Sequence, residues 1–200
     1  MQFGIFNSDE NKSPDIDGLI YLDNFLNREL QKELLDSIDK EFWLLDLKRR
    51  VQHYGYKYDY QKRGINLSMK VGNLPFWSAK ITDLLIEKKH ISFMPDQLIV
   101  NEYIPGQGIA PHIDCEPCFE GTIISISLGS TCQMDFYSKD NHKEKKDILL
   151  KPGSLLVLSG EARYKWLHGI TGRKSDLIQG EKAIRQRRVS LTYRKVILSQ

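Results

Sequence analysis

Two histidines and one aspartate in this chain have the types and spacing of a metal site. His112 and Asp114 form an H-x-D triplet after the turn-rich stretch Pro105–Gly108, and His168 follows in a later apolar run. In a β-strand, residues i and i+2 point to the same face, so His112 and Asp114 would aim at one point. Two histidines and one carboxylate on one face of an iron ion leave positions open for a cosubstrate and O2. An H-x-D triplet alone also occurs by chance.

The last extended run, Arg188–Arg194, carries charged residues that need partners. Strand alternation places Arg188, Ser190, Thr192 and Arg194 on one face and Val189, Leu191 and Tyr193 on the other. An arginine facing inward requires an anion, because an unpaired buried charge is costly. A planar guanidinium binds a carboxylate through two parallel hydrogen bonds, so the two arginines could bracket a short dicarboxylate. Alternatively, both pair with acids of the protein such as Asp114 or Glu102.

A basic and aromatic segment spans residues 47–64. It holds six Lys or Arg against one acid, and tyrosines recur at every second position, namely Tyr54, Tyr56, Tyr58 and Tyr60. On a strand these rings would share one face flanked by cations, an arrangement that holds single-stranded or flipped bases. The glycines Gly55 and Gly64 suit a mobile flap. Alternatively, the segment is a solvent-facing hairpin whose aromatic side packs on the core.

Length and composition are those of an ordinary globular chain, which we expect to form one domain over residues 1–200. The chain is 40% hydrophobic and 28% charged, with a net charge of +3 and a pI of about 8.6. Mild basicity is compatible with a polyanionic partner but does not establish one. The N-terminus lacks the pattern of a signal peptide, and no run of 18 apolar residues is present. We therefore expect an intracellular protein, cytoplasmic or nuclear, without membrane contact.

The cysteines predict a reducing environment. Three are present, Cys115, Cys118 and Cys132, and an odd number in a chain without an export signal favours free thiols. Cys115 and Cys118 form a C-x-x-C, which could be half of a zinc site or a redox pair. No second pair follows at zinc spacing, so small, partly buried residues are the simpler interpretation.

Helices are predicted in the first half of the chain. Residues 1–17 form a polar lead-in. Asn27 is the expected N-cap of a helix that reaches about Phe42, and a second helix begins near Pro75. Both carry apolar residues at helical spacing, which predicts that one face of each helix packs in the core.

Short apolar runs separated by turns fill residues 96–198. At least seven are predicted strands, at 97–103, 122–129, 132–137, 147–151, 154–159, 162–168 and 188–198. This pattern predicts an α+β, mainly β fold, a β-sandwich or jelly roll with the N-terminal helices packed on one sheet. Between residues 161 and 188, eight Lys or Arg stand against three acids. This basic edge is either a solvated connection or a second nucleic-acid contact.

Four features, in order and spacing, resemble the signature of AlkB-like Fe(II)/2-oxoglutarate dioxygenases. They are Asn101-x-Tyr103, His112-x-Asp114, His168 and Arg188-x5-Arg194, and the similarity covers residues 18–197. The stretches RRVQHYGY, PGQGIAPHID and SLLVLSGEARYKWLHGI are most similar to the branch that hydroxylates modified wobble uridine in tRNA.

The resemblance implies an enzyme with a double-stranded β-helix (jelly roll) core over residues 96–198 that uses Fe(II), 2-oxoglutarate and O2. It implies three iron ligands, His112, Asp114 and His168. The implied 2-oxoglutarate contacts are Asn101, Tyr103, Arg188 and Arg194, with Ser190 on the same strand face. Residues 47–64 correspond to a nucleotide-recognition lid. The candidate substrate-binding residues are Arg49, Arg50, His53, Tyr54, Tyr56, Glu116 and Arg163.

The implied reaction is oxidation of a modified or alkylated nucleobase, with RNA, and tRNA in particular, favoured over DNA. Oxidation of an N-methyl group demethylates the base, whereas oxidation of a methylene on carbon leaves a hydroxyl. Cys115 stands directly after the H-x-D triplet, where repair-type members often carry acids, so repair by the same contacts is in doubt. The alternative is a hydroxylase of a protein or small molecule. We expect a monomer whose substrate is delivered by its own surface or by an accessory protein.

Overall fold

The computed structural model describes residues 13–45, 47–59, 64–141 and 143–198. Residues 1–12 of the predicted lead-in and Tyr60 of the predicted lid lie outside these ranges. The elements, in chain order, are β1 (Leu19–Leu22), α1 (Arg28–Ile38), β2 (Val51–Tyr54), α2 (Ala79–Glu87), β3 (Gln97–Tyr103), β4 (Ile109–His112), β5 (Ile123–Gly129), β6 (Cys132–Ser138), β7 (Lys145–Leu150), β8 (Leu155–Leu158), α3 (Gly160–Tyr164), β9 (Trp166–Ile170), β10 (Ser175–Ile178), β11 (Glu181–Ile184) and β12 (Arg188–Arg194).

Two antiparallel sheets form the body of the fold. The larger has the strand order β1-β8-β5-β12-β3-β2, and the smaller has the order β4-β9-β6-β7. A shared apolar cluster joins Leu156 and Leu158 of the larger sheet to Met134 and Phe136 of the smaller one, so the two sheets pack face to face. The predicted α+β, mainly β jelly roll is confirmed. None of the helices in the described part of the chain is long and apolar enough to cross a membrane.

Both longer helices cover the outer face of the larger sheet. Leu34 and Ile38 of α1, together with Ile81 and Leu85 of α2, are buried in one cluster with the apolar side of that sheet. Apolar residues three and four positions apart give each helix a single face to bury, and the sheet supplies the opposite surface. The predicted packing of the N-terminal helices on one sheet is confirmed.

The first helix begins where predicted and ends earlier. The side chain of Asn27 accepts a hydrogen bond of 2.9 Å from the backbone N–H of Leu30, which caps the helix N-terminus. The helix ends at Ile38 rather than near Phe42. The carbonyl of Ile38 there accepts hydrogen bonds from the side-chain amide of the buried Gln52 at 2.9 Å and from the backbone N–H of Glu41 at 3.2 Å. The second helix begins at Ala79, after a 3-10 turn that follows Pro75.

Strand β12 is the central strand that carries the predicted alternation. It pairs with β3 on one side and with β5 on the other. Val189, Leu191 and Tyr193 are fully buried beneath the helices. The alternate residues Arg188 and Arg194 therefore face the smaller sheet, and the space between the sheets is where an inward-facing charge must find a partner.

Two predicted segments differ from the structure. Residues 162–168 are not one strand, because α3 ends at Tyr164 and β9 begins at Trp166. The charged stretch before β12 contains the hairpin β10–β11, whose two strands pair with each other in an antiparallel register. Polar and charged residues interrupt the apolar residues of this hairpin, so a search for apolar runs did not find its strands.

Gly55, at the end of β2, allows a stability prediction. Its φ is +75°, and a Cβ there would lie 1.7 Å from the carbonyl oxygen of Asp96. We expect Gly55→Ala to lower the free energy of unfolding by more than about 3 kcal/mol, because the backbone must move as well as adopt a left-handed conformation. Denaturant titration followed by tryptophan fluorescence measures this loss.

Gly106→Ala is the matched control for this substitution. Gly106 also has a positive φ, of +94°, but nothing lies within 4 Å of a Cβ built there. This variant should lose about 1 kcal/mol, the cost of the backbone conformation alone. Equal losses in the two variants would show that the clash with Asp96 contributes nothing.

Candidate metal centre and cosubstrate cavity

Pairing of β4 with β9 brings the two candidate histidine ligands together. His112 and His168 are cross-strand partners, and their ring centroids are 4.5 Å apart. Asp114 follows two residues after the end of β4, and its Oδ2 lies 3.5 Å from Nε2 of His168. One ligand atom from each of the three residues falls within 4.8 Å of the other two. The side chains that the sequence pattern selected thus converge on one point.

The protonation states of these residues suit a divalent metal. His112 Nδ1 lies 2.9 Å from the carbonyl oxygen of Ala110. A carbonyl only accepts, so Nδ1 is the donor, which leaves Nε2 as the ring nitrogen that can face a metal. Burial and the neighbouring His112 lower the pKa of His168 to about 3, so this imidazole is neutral at pH 7.

Asp114 is ionised in this environment. Burial alone would raise its pKa, but the nearby cations, Arg194 first among them, hold the pKa well below its ordinary value. Two imidazoles and one carboxylate are the donor set that suits Fe(II) with open coordination positions. The residues present therefore fit an iron ion.

The three residues open into a cavity of about 400 Å³ between the sheets. All five residues expected to contact 2-oxoglutarate also line it, namely Asn101, Tyr103, Arg188, Ser190 and Arg194. Register explains their proximity, because Arg188 pairs with Tyr103 and Ser190 pairs with Asn101 across the β12–β3 ladder.

Arg188 is a buried cation whose hydrogen-bonding capacity is mostly unused. It is 3% exposed, and its Nη2 donates to Ser127 Oγ at 2.8 Å. Its Nε and Nη1 have no hydrogen-bond partner among the described residues. The guanidinium lies 5.4 Å from the centroid of the Tyr103 ring. A buried guanidinium with two free donors, facing a cavity, is suited to bind a carboxylate.

Arg194 has a different partner from Arg188. Its Nη2 donates to Asp114 Oδ1, and its Nη1 donates to Gln97 at 3.2 Å. The sequence left open whether both arginines pair with acids of the protein. Arg194 does so, whereas Arg188 pairs with no acid among the residues that the structure describes. Glu102, the other acid considered, bonds to Arg50 and Arg187 instead.

Of the seven candidate substrate-binding residues, Arg49 lines the cavity. Its Nε donates to Asn101 Oδ1 at 2.8 Å. Arg50 lies close in sequence but is committed to Glu102 and stacks on Trp43 at 4.7 Å. His53 is the cross-strand partner of Ile99, so it lies on the cavity side of the sheet without lining the cavity.

The expectation that the tyrosines share one face is wrong. Tyr54 packs edge-on against Trp77 on the helix-covered side of the sheet. Tyr56 is buried in the core between the sheets. The left-handed backbone at Gly55 interrupts the strand, so the alternation does not continue through it. Neither Tyr54 nor Tyr56 lines the cavity.

Two other candidate substrate contacts lie elsewhere. Glu116 is in the 3-10 turn Glu116–Cys118, where its carboxylate lies 3.7 Å from Lys139 Nζ, and it does not line the cavity. Arg163 is 2% exposed, and its guanidinium points to backbone carbonyls. Its burial and its absence from the cavity lining give the prediction of a substrate contact no support.

The cysteines also differ from expectation. Cys115 and Cys118 are joined by a disulfide, whereas Cys132 is a buried free thiol. The 3-10 turn brings the Cα atoms of the pair to 5.2 Å, a separation that a disulfide spans. The expectation of three reduced thiols is therefore wrong for this pair. That expectation was based on a reducing cellular compartment rather than on the local geometry of the two cysteines.

Further residues of the cavity were outside the predicted site set, among them Thr192, Tyr58 and Phe119. Thr192 lines the cavity from the inner face of β12, the face on which strand alternation had placed it. Tyr58 and Phe119 line it together, with ring centroids 5.9 Å apart. Their proximity depends on the turn after Asp114, for which the sequence carries no local signal.

Internal ion pairs neutralise much of the basic edge. Arg185 and Arg173 both pair with the buried Asp176. Arg187 pairs with Glu102 and Asp39. These three arginines thus fix the hairpin and the start of β12 through ion pairs with acids of the protein.

Sequence comparison places this site among known proteins. A family model described as the 2OG-Fe(II) oxygenase superfamily matches residues 18–194. The chain is 38% identical over 205 residues to the alkylated DNA repair protein ALKBH8 homolog of Arabidopsis thaliana. It is 37% identical over 200 residues to the tRNA (carboxymethyluridine(34)-5-O)-methyltransferase alkbh8 of Xenopus tropicalis. These alignments cover about nine tenths of this chain but 59% and 32% of those proteins.

Structural comparison agrees on the fold. The solved structure of OsALKBH1 superposes with a TM-score of 0.66 at 19% sequence identity, covering 89% of this chain and 96% of that one.

Proposed function

Because the chain belongs to the 2OG-Fe(II) oxygenase superfamily and is an AlkB-like dioxygenase, we propose that it oxidises a carbon of a modified or alkylated nucleobase in nucleic acid, with tRNA as the favoured substrate. One observation carries the proposal. The metal-binding triad and an unsatisfied buried arginine, Arg188, open into the same cavity. A metal at one end and a carboxylate receptor at the other suit a dicarboxylate cosubstrate that chelates iron.

Each residue of the cavity has a role that follows from its contacts. His112, Asp114 and His168 would hold the iron, and the hydrogen bond from His112 to Ala110 orients the imidazole ring of His112. Arg194 holds the Asp114 carboxylate in its ionised form. Arg188, supported by Ser127, binds the distal carboxylate of 2-oxoglutarate. When bound, iron, 2-oxoglutarate and O2 supply an oxidation in which the cosubstrate yields succinate and CO2 and the substrate C–H gains oxygen.

Aromatic and basic residues of the cavity support a nucleobase as substrate. Tyr58 and Phe119 line it with ring centroids 5.9 Å apart, and Arg49 also lines it, with its guanidinium 5.6 Å from the centroid of the Tyr103 ring. Aromatic rings with a neighbouring guanidinium hold unstacked bases through stacking and phosphate contacts. The relatives named above are proteins of nucleic-acid repair and tRNA modification, which favours the same substrate class for this chain.

Stimulated turnover tests the proposal. Succinate release should depend on Fe(II) and rise on addition of modified tRNA or N-methylated oligonucleotides. Unmodified nucleic acid, peptides and free amino acids should leave release at the basal level. Stimulation by a peptide but by no nucleic acid would contradict the proposed substrate class.

A hydroxylase of a protein or small molecule is the second candidate. The observation that favours it is the smaller base-binding surface, because Tyr54 and Tyr56 are core residues and Arg50 is paired with Glu102. Two neighbouring cations distinguish the two candidates: Arg49 lines the cavity, and both Lys48 and Arg49 line an adjoining pocket.

Lys48→Ala with Arg49→Ala should make RNA binding less dependent on salt. For a single strand, removing a side chain that neutralises one phosphate lowers the slope of log K against log salt by about 0.7. Titration of a fluorescent oligonucleotide at several salt concentrations measures the slope. The control is Lys80→Ala with Lys88→Ala, in α2 and directly after it, across the sheet from the cavity, and it should retain the original slope. An unchanged slope in the Lys48 and Arg49 variant would favour the second candidate.

A further inference from the structure

Arg163 is a buried cation that the proposed mechanism does not use. It lies on α3, is 2% exposed and is among the largest fully buried side chains. Burial lowers the pKa of the guanidinium, while Asp114 acts in the opposite direction. Burying such a group costs several kcal/mol unless its donors are satisfied, so its contacts should reveal what it does.

The donors of Arg163 converge on the backbone that follows a metal ligand. Its Nη1 donates to the carbonyl oxygen of Asp114 at 2.9 Å, and its Nη2 donates to that of Cys115 at 3.2 Å. Among the residues that the structure describes, no carboxylate forms an ion pair with it, and its remaining donor, Nε, has no hydrogen-bond partner. The guanidinium thus spans two successive carbonyls of the ligand segment.

Asp114 needs such support because it lies outside the sheet. His112 and His168 are fixed by the β4–β9 ladder, whose last pair joins these two residues. Asp114 is beyond that pair, at the start of a turn through Cys115 and the 3-10 segment Glu116–Cys118. Its carboxylate is held by Arg194, whereas the two hydrogen bonds from Arg163 hold its main chain.

The helix that carries Arg163 is itself tied to the fold. The backbone N–H of Ser159 donates to Gly18 and that of Ala162 donates to Asp17, each at 2.9 Å. The helix leads directly into β9, which carries His168. Arg163 therefore links the chain segment of one candidate ligand to the backbone of another.

We propose that Arg163 is a positioning residue of the metal centre, which fixes the main chain at Asp114 so that its carboxylate meets the two imidazoles. The inference rests on the proposed function, because the proposed function assigns a metal to the triad. Arginine suits the role because its planar fork reaches two carbonyls at once, whereas lysine offers a single point of donation.

Metal affinity tests the role without a nucleic-acid substrate. Mn(II) binding to the metal-free full chain, followed by electron paramagnetic resonance, gives a dissociation constant for each variant. Arg163→Met keeps the apolar bulk and removes both hydrogen bonds, and we expect a 10- to 100-fold weaker affinity, the range for outer-shell partners of metal ligands. Arg163→Lys should retain one hydrogen bond and fall between this variant and the wild type.

Lys165→Ala is the matched control, since Lys165 lies at the end of the same helix in an exposed pair with Glu161. It should bind Mn(II) as the wild type does. A purely structural role would lower the melting temperature of the Arg163 variants and leave the Mn(II) affinity of the folded fraction unchanged, and that result would overturn the proposal. If Arg163→Met does not fold, Arg163→Lys alone tests the proposal. An affinity of Arg163→Lys for Mn(II) equal to that of the wild type would also overturn the proposal.

Failure of this role is distinguishable from failure of the proposed function. A wild-type protein that binds Mn(II) but oxidises no nucleobase contradicts the substrate assignment and leaves the role of Arg163 in place. A wild-type protein that oxidises a nucleobase, with Mn(II) affinity unchanged in Arg163→Met, contradicts the role of Arg163 alone.

Discussion

His112→Ala should abolish 2-oxoglutarate turnover while leaving the fold intact. The imidazole is half-buried at the cavity and contributes no apolar packing to either core cluster, so its removal costs little stability. Its loss leaves one histidine and one carboxylate for the metal. The affinity for Mn(II) should fall by more than the roughly 100-fold seen on loss of an outer-shell partner.

Calorimetry of Mn(II) binding and an assay of succinate release measure the two effects of this substitution. His90→Ala is the control, because His90 makes an edge contact with Phe25 and lies outside the cavity. The control should retain both binding and turnover. Normal turnover in His112→Ala would exclude His112 as an iron ligand.

Arg188→Met should weaken 2-oxoglutarate binding and leave the cosubstrate-free protein at least as stable as the wild type. In the absence of cosubstrate Arg188 is a buried charge with two donors unused, so replacing it by an apolar side chain removes a desolvation penalty. When 2-oxoglutarate is bound, the same change removes one partner of a buried charge pair. That loss costs at least about 2 kcal/mol, which corresponds to a KM about 30-fold higher.

Thermal unfolding with and without 2-oxoglutarate separates these two effects. Saturating cosubstrate should stabilise the wild type, by about 2.7 kcal/mol at 100 times Kd, and should stabilise the variant far less. The neighbouring substitution Arg187→Met should have the opposite effects on stability and on KM. Arg187 pairs with Glu102 and Asp39, so its loss should lower the stability of the protein and leave the KM for 2-oxoglutarate unchanged. An unchanged KM in Arg188→Met would contradict the carboxylate site.

Local periodicity predicted the parts of the site that lie on a single strand. Alternation in β12 put Arg188 and Arg194 on one face, and the structure has both on that face. His112 and Asp114 of the H-x-D triplet also converge on one point, although Asp114 lies beyond the end of β4 and not on the strand. A period of two is a property of the extended backbone itself, so it holds wherever a strand continues without interruption.

Residues distant in sequence were harder to assign. His168 is brought to His112 by the β4–β9 ladder, and a strand of four residues such as β4 leaves little pattern to detect. Residue type and an extended setting indicated His168 only as a residue that could complete the set. The resemblance to a known family implied it as the third ligand.

The sequence pattern was misleading for charged and aromatic residues whose tertiary contacts could not be known in advance. Arg50 and Arg163 look like surface cations in the sequence, but one is paired with Glu102 and the other is buried against backbone carbonyls. Tyr54 and Tyr56 match a stacking face until Gly55 interrupts the strand. The availability of a charge or ring depends on tertiary contacts, which composition and spacing do not encode.

Mass spectrometry of nucleosides tests the central claim most directly. Modified tRNA and N-methylated oligonucleotides are incubated with the enzyme, Fe(II), 2-oxoglutarate and isotopically labelled O2, and then digested to nucleosides. We expect one nucleoside either to gain a single labelled oxygen atom or to lose a methyl group with release of formaldehyde, in the wild type and not in His112→Ala. Nucleosides that remain unchanged in every substrate, while succinate is still released, would contradict a nucleobase as the site of oxidation.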